Sequence, residues 1–173
     1  MAEIYDSPIP WTGEIDIELV LFRTKVREEW IGGGGNGHTA HYLTIGDHAN
    51  WAFWNWINGP RGTIEQRDGH EYVIVQNSVN YIDEIALGTP IHVTTQLLEV
   101  DDKRYVLFHR IWKSESNVLA ATNEVKCLGF NLNERRPERW QSVVAQRLAR
   151  ILDAQASLAM PEEAGVGITL KRK

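Results

Sequence analysis

The sequence predicts an α+β domain: one long central helix wrapped by a curved antiparallel sheet of about five strands, with a second helix at the C-terminus. Three observations predict it. A glycine-rich run leads directly into a segment whose apolar residues recur every three or four positions. Alternating, β-branched segments follow, with connections short enough to make neighbours antiparallel. An amphipathic stretch then closes the chain.

Residues 1–14 hold two of the six prolines and read as an irregular arm. Glu18 to Trp30 alternates as a strand, with Leu19, Leu21, Arg23 and Lys25 on one side and Val20, Phe22, Thr24 and Val26 on the other. Gly32-Gly33-Gly34-Gly35-Asn36-Gly37-His38 ends it. The helix from Thr39 to Asn58 carries an apolar stripe of Tyr42, Ile45, Ala49, Ala52, Phe53 and Trp56, and Asn58-Gly59-Pro60 stops it. Strands are predicted at Glu71–Ile82, Ile91–Val100, Arg104–Lys113 and Val118–Leu132. Gly88-Thr89-Pro90, Asp101-Asp102-Lys103 and Glu115-Ser116-Asn117 turn between them. Pro137 to Leu158 is the closing helix, with Pro137 near its start. The arm, a single domain over 15–158 and a tail over 159–173 make up the chain.

At 173 residues, 43% apolar and 24% charged, the composition is that of one globular domain. A net charge of −5 argues against general nucleic-acid binding, but it permits a local basic pocket for phosphate. The lone Cys127 forms no internal disulfide, which points to a reducing cytoplasm. The N-terminus lacks a signal-peptide pattern, and no stretch approaches the ~20 apolar residues of a membrane span. A metal centre is not expected: His38-x-x-His41 is the best ligand spacing, and it is weak. A serine nucleophile is unsupported, since there is no Gly-x-Ser-x-Gly. A single long helix covers one sheet face, so the edges and the other face call for a homo-oligomer, a dimer or a tetramer.

The chemistry concentrates where the glycine run meets the helix. Glycines admit a ligand close to the backbone, and a helix start presents free N–H groups to negative charge. Leu43, Asp47, Asn50, Trp51, Trp54 and Asn58 share a face roughly opposite the apolar stripe, which would turn Asp47 toward a cleft or a partner subunit. Tryptophans beside Asp47 would desolvate it and raise its pKa, suiting base or nucleophile work. The plainer readings are a solvated surface Asp47, a His38 that only starts the helix, a packed His48 and a merely flexible glycine loop. Trp51 and Trp54 read as interface anchors or as an acyl pocket, and Trp56 as core.

The run Glu29-Trp30-Ile31-Gly32 through Tyr42-Leu43 resembles the hotdog-fold acyl-CoA thioesterases. Many of these read Glu-Trp-aliphatic-Asp-x-Asn-Gly-His-x-Asn before Tyr-Leu. Trp30, Gly35, Tyr42, Leu43 and Ala49 fall on that pattern, and Asn80-Tyr81-Ile82, Gly88, Val93-Thr94-Thr95 and Leu119-Ala120-Ala121 continue it. The similarity spans roughly residues 17–152. It departs at the chemistry. In the 4-hydroxybenzoyl-CoA thioesterase type the catalytic Asp stands where this chain has Gly32, and the usual Gly-His pair is Gly35-Asn36. In the phenylacetate-pathway type an Asp or Glu follows a helix-start His by nine residues, as Asp47 follows His38, although Thr39-Ala40 replace that motif's two glycines.

The resemblance implies an acyl-CoA thioesterase in which Asp47 activates water or attacks directly and the Thr39 N–H holds the oxyanion. Asn36, His38 and His48 then orient water or substrate, and Gly35, Gly37, Tyr42, Trp51 and Trp54 contact it. Coenzyme A enters as part of the substrate, with no other cofactor. Arg135, Arg136 and Arg139 are candidates for its phosphates, or simply flank the closing helix in solvent. Thr94-Thr95-Gln96-Leu97-Leu98, Lys103-Arg104, Leu107-Phe108-His109, Leu119 to Glu124 and Pro161-Glu162-Glu163-Ala164-Gly165 resemble thioesterases of carnitine breakdown, which implies betainyl-CoA as a substrate. The alternatives on this fold are a hydratase/dehydratase pairing Asp47 with His38 or His48, and a catalytically inactive acyl-CoA-binding protein.

Overall fold

The computed structural model describes residues 9–58, 64–165 and 170. Strands β1 (Leu19–Lys25), β2 (His70–Tyr81), β3 (Pro90–Val100), β4 (Arg104–Lys113), β5 (Val118–Asn131) and β6 (Arg136–Pro137) accompany helices α1 (Thr39–Asn58) and α2 (Ser142–Ala154). The antiparallel sheet runs β1-β3-β4-β5-β2, with the two-residue β6 beside β5. Register shifts interrupt the β1–β3, β2–β5, β3–β4 and β4–β5 ladders. Each bulge bends its strand and adds twist, so together they curl the sheet around α1.

The helix is gripped on more than one side. Tyr42, Ile45 and Ala49 pack with Phe22, Val26, Ile91, Val93 and Ile111. Phe53, Trp54, Trp56 and Ile57 pack with Tyr72, Leu97, Tyr105 and the α2 residues Val144, Leu148 and Ile151. Burying each large side chain contributes about 1.5–3 kcal/mol, which fixes α1 far more firmly than helix propensity does. The arm takes part too: the Trp11 ring lies 4.5 Å from that of Trp56, and the Arg147 guanidinium sits over Trp11 at 4.8 Å.

Several boundaries differ from the sequence reading. The first strand ends at Lys25, and Glu28–Trp30 is a 3-10 turn. Pro137 belongs to β6, where it pairs with Phe130, so α2 starts only at Ser142. A proline without a helix cap is equally at home in a short edge strand. The Gly59-Pro60 stop lies outside the described residues. The segment after α2 is anchored over the outer sheet face: Gln96 donates to the Ala159 carbonyl at 3.2 Å, and the Gly165 N–H reaches both Glu124 carboxylate oxygens at 3.0 Å.

Candidate active site

The glycine run is a pinned hairpin. Gly32 N–H donates to the Asn36 carbonyl at 2.8 Å and Gly35 N–H to Gly32 at 3.0 Å, with Gly35 at φ +85°, a conformation glycine adopts without strain. Gly37 donates to the Ile85 carbonyl at 2.8 Å and lies so close to Ile85 that a Cβ would meet its Cγ1 at 2.6 Å. Gly37 is therefore a packing residue. Gly35 stands open at the tip, with nothing within 4 Å of where a Cβ would be.

At the helix start His38 is the cap. Its Nδ1 accepts from the Ala40 N–H at 3.2 Å and its carbonyl from the His41 N–H at 2.9 Å. The Thr39 N–H finds no acceptor among the described residues and opens onto the surface. The Asn36 amide donates to Glu84 at 2.6 Å. Tyr42 is buried, and its hydroxyl donates to the Asp83 carbonyl at 3.1 Å while accepting from the Ile85 N–H at 3.2 Å. It holds the 83–86 loop against the hairpin and leaves no hydroxyl for substrate.

Asp47 is half-buried, and its carboxylate has no hydrogen-bond or ion-pair partner among the described residues. Burial raises its pKa above the ordinary 3.8, with only a smaller opposing pull from His48. Its flank of α1 faces β2. One turn further on, Trp51 meets Tyr72 edge-on at 5.8 Å. Beneath, Asp47's field reaches the buried thiol of Cys127, which pairs with Ile74 of β2. β2 is an edge strand of the sheet, as β1 is at the other end, and Val75 and Tyr81 on it are about half exposed.

The remaining candidates separate. His48 turns toward β1: its ring lies 5.6 Å from Phe22 and 6.3 Å from Trp30, and burial lowers its pKa, keeping it neutral. Trp54 is not on an open face; it is fully buried among Tyr72, His70 and Trp140. Asn50 and Asn58 are buried as well, Asn50 against His109 of β4. Only Trp51 of that pair stays partly exposed. Arg135 lies over Phe130, Arg136 pairs with Glu134 and Arg139 with Asp102.

The sequence reading missed a polar line through the core. His109 Nε2 donates to Asn50 Oδ1 at 3.0 Å, and its Nδ1 accepts from the Thr95 hydroxyl at 3.0 Å. Nearby, Asn123 donates to Asn77 Oδ1 at 3.0 Å. His109 alternates with Leu107 and Ile111, so its inward direction was readable from the strand pattern. A cleft of about 370 Å³ lined by Glu18, His92, Arg110 and Trp112 lies across the sheet from Asp47, on the outer face.

One helix held in a curled antiparallel sheet, with its start left open beside a glycine hairpin, is the architecture of the hotdog thioester hydrolases. Residues 7–148 match the model of the Thioesterase-like superfamily, and the chain belongs to that family as an acyl-CoA thioesterase. It is 28% identical to a betainyl-CoA thioesterase of Pseudomonas aeruginosa over 149 residues, 86% of this chain and 92% of that protein. It is 36% identical to an L-carnitine dehydrogenase/betainyl-CoA thioesterase of Ruegeria pomeroyi over 91% of this chain, a stretch that makes up 31% of that longer protein. A Staphylococcus aureus protein solved in complex with CoA superposes with a TM-score of 0.75 at 25% identity, covering 91% of this chain and 99% of that one.

Proposed function

We propose that the protein hydrolyses a short, polar acyl-CoA, with betainyl-CoA as the leading substrate, and that Asp47 is the general base. The carrying observation is the half-buried, unpartnered Asp47 carboxylate on the flank that faces the free β2 edge. Water attacks the thioester carbon and gives its proton to Asp47. The Thr39 N–H holds the oxyanion. Collapse expels the CoA thiolate, which takes the proton back from Asp47. Hydrolysis by this route needs water and a carboxylate but no cofactor. Trp51 and Tyr72 form an aromatic wall one turn from Asp47, suited to a trimethylammonium head through cation–π attraction of ~0.5–2 kcal/mol. The relatives named for betainyl-CoA support this choice.

Thr39 and Asp47 stand eight residues apart on one helix, a rise of ~12 Å, too far for both to serve one carbonyl. A second copy joined at the β2 edge resolves this by bringing its Asp47 to the Thr39 N–H of the first. Val75 and Tyr81 on that edge are the apolar groups such pairing would cover. The test is subunit complementation. Thr39→Pro removes the N–H at a position where proline suits a helix. Thr39→Pro and Asp47→Asn proteins are each expected to lose hydrolysis. Refolded as an equal mixture, they should recover about a quarter of wild-type activity, from the one intact site in each mixed dimer. Two dead proteins that stay dead on mixing would refute the shared site, and an active Asp47→Asn would refute the base.

A further inference from the structure

We infer that Asn77 is a second polar member of this site, holding the attacking water opposite Asp47. The inference rests on the hydrolase reading given above. In the first half of β2 the side chains facing the helix are Tyr72 and Ile74, which pack on the core under α1. Strict alternation would continue this face through Gln76, Ser78 and Tyr81's neighbour Asn80. It does not continue, because the β2–β5 register shifts between Ile74 and Gln76. Ile74 opposes Cys127, yet Asn77, not Gln76, opposes Val125, and Cys127 and Val125 both belong to the buried core. Beyond the bulge the inner face is Asn77, Val79 and Tyr81, with Val79 packed on the core and Tyr81 against Tyr42. The extra residue, Val75, is what turns Asn77 inward.

Asn77 is then held in place. Its Oδ1 accepts from Asn123 at 3.0 Å, and Asn123 presses on Gly46, the residue before Asp47. The carboxamide is thereby fixed by its oxygen. Its Nδ2 hydrogens have no acceptor among the described residues. An exposed amide donor and an unpartnered carboxylate thus lie on the same side of the sheet at the same level of α1. A water between them would donate to Asp47 and accept from Asn77, leaving one lone pair for the thioester carbon. A bulge beside a site, re-aiming one side chain, is a recurrent use of this irregularity.

The test pairs kinetics with a readout independent of turnover. Asn77→Ala, at an exposed position that tolerates truncation, is expected to lower kcat for hydrolysis at least tenfold with KM changed less than threefold. Asn77→Ser, which keeps a donor, is expected to recover part of that loss. In wild-type protein the Asn77 side-chain amide resonances should shift with the titration of Asp47, and Asp47→Asn should abolish that shift. An unchanged kcat, a loss confined to KM, or amide resonances indifferent to Asp47 would overturn the assignment. A wild type that hydrolyses no thioester would instead overturn the hydrolase reading and the water's role, while the resonance titration would still judge the Asp47–Asn77 pairing.

Discussion

Asn123 lies so close to Gly46 that a Cβ on residue 46 would meet its Oδ1 at 2.5 Å. Asn123 is fully buried on β5, so it has little room to retreat. Gly46→Ala is therefore expected to destabilise the protein by about 1–3 kcal/mol despite alanine's better helix propensity. Urea unfolding of Gly46→Ala beside the Gly46→Ala/Asn123→Ala double variant checks this. The double variant should regain part of the loss, because the clash is removed from the other side.

Asp47 sets activity against stability. Its folded-state pKa lies above the ordinary 3.8, so the native state holds its proton more tightly than the unfolded chain does. Stability from this group is complete at low pH and is lost as pH rises through the raised pKa. Asp47→Asn should melt higher than wild type at neutral pH, with the difference shrinking in acid. The same variant should lose about 100- to 10,000-fold in kcat, the range for a general base. In the wild type, kcat should fall on the acid side with an apparent pKa above 3.8. Differential scanning calorimetry and a pH–rate profile read the two effects separately.

His109 gives the opposite pH signature. Burial lowers its pKa from 6.5 to about 3, and the Asn50 oxygen at Nε2 keeps it in the Nε2–H form. Below pH 6.5 the unfolded chain takes up a proton that the native state refuses until about pH 3. This histidine alone then costs about 1.4 kcal/mol of stability per pH unit across that window. His109→Gln should flatten the acid limb of the stability curve in denaturant titrations between pH 6.5 and 4, whatever its stability at neutral pH.

Trp51 and Trp54, three residues apart, should behave differently. Trp54→Leu empties a fully enclosed site and is expected to cost about 2–4 kcal/mol in chemical denaturation. Trp51→Leu should cost less stability. It should raise KM for a quaternary ammonium acyl-CoA several-fold, leaving KM for a neutral acyl-CoA of the same size nearly unchanged.

Much of the fold was legible because periodicity is a direct record of burial. The β2, β3, β4 and β5 segments alternate, and Tyr42, Ile45, Ala49, Phe53 and Trp56 do point into the core. The reading failed where one side chain's fate depends on an element far away in sequence. Trp54 was assigned to an open face because nothing local reveals that Trp140 and α2 close over it. Pro137 was read as a helix start because its pairing with Phe130 is a tertiary fact. In the site, the position of Asp47 on α1 was readable from spacing, while His38, put forward to orient water or substrate with a helix start as its plainer reading, caps the helix. The bulge at Val75 was not, since an inserted residue leaves no mark in composition and only displaces the alternation after it.

That displacement makes strand length itself carry chemical information. Removing Val75 would straighten the ladder and still leave Asn77, Val79 and Tyr81 on the helix side, because Asn77 would then follow Ile74 by two positions. Straightening β2 with Val75 kept would instead bring Gln76, Ser78 and Asn80 to the helix in their place. Among relatives of this fold, a single-codon insertion or deletion at this point that no bulge absorbs can therefore rewrite the lining of the cleft without altering any one side chain. Comparing such proteins position by position, without counting bulge residues, would mistake a change of phase for a series of unrelated substitutions.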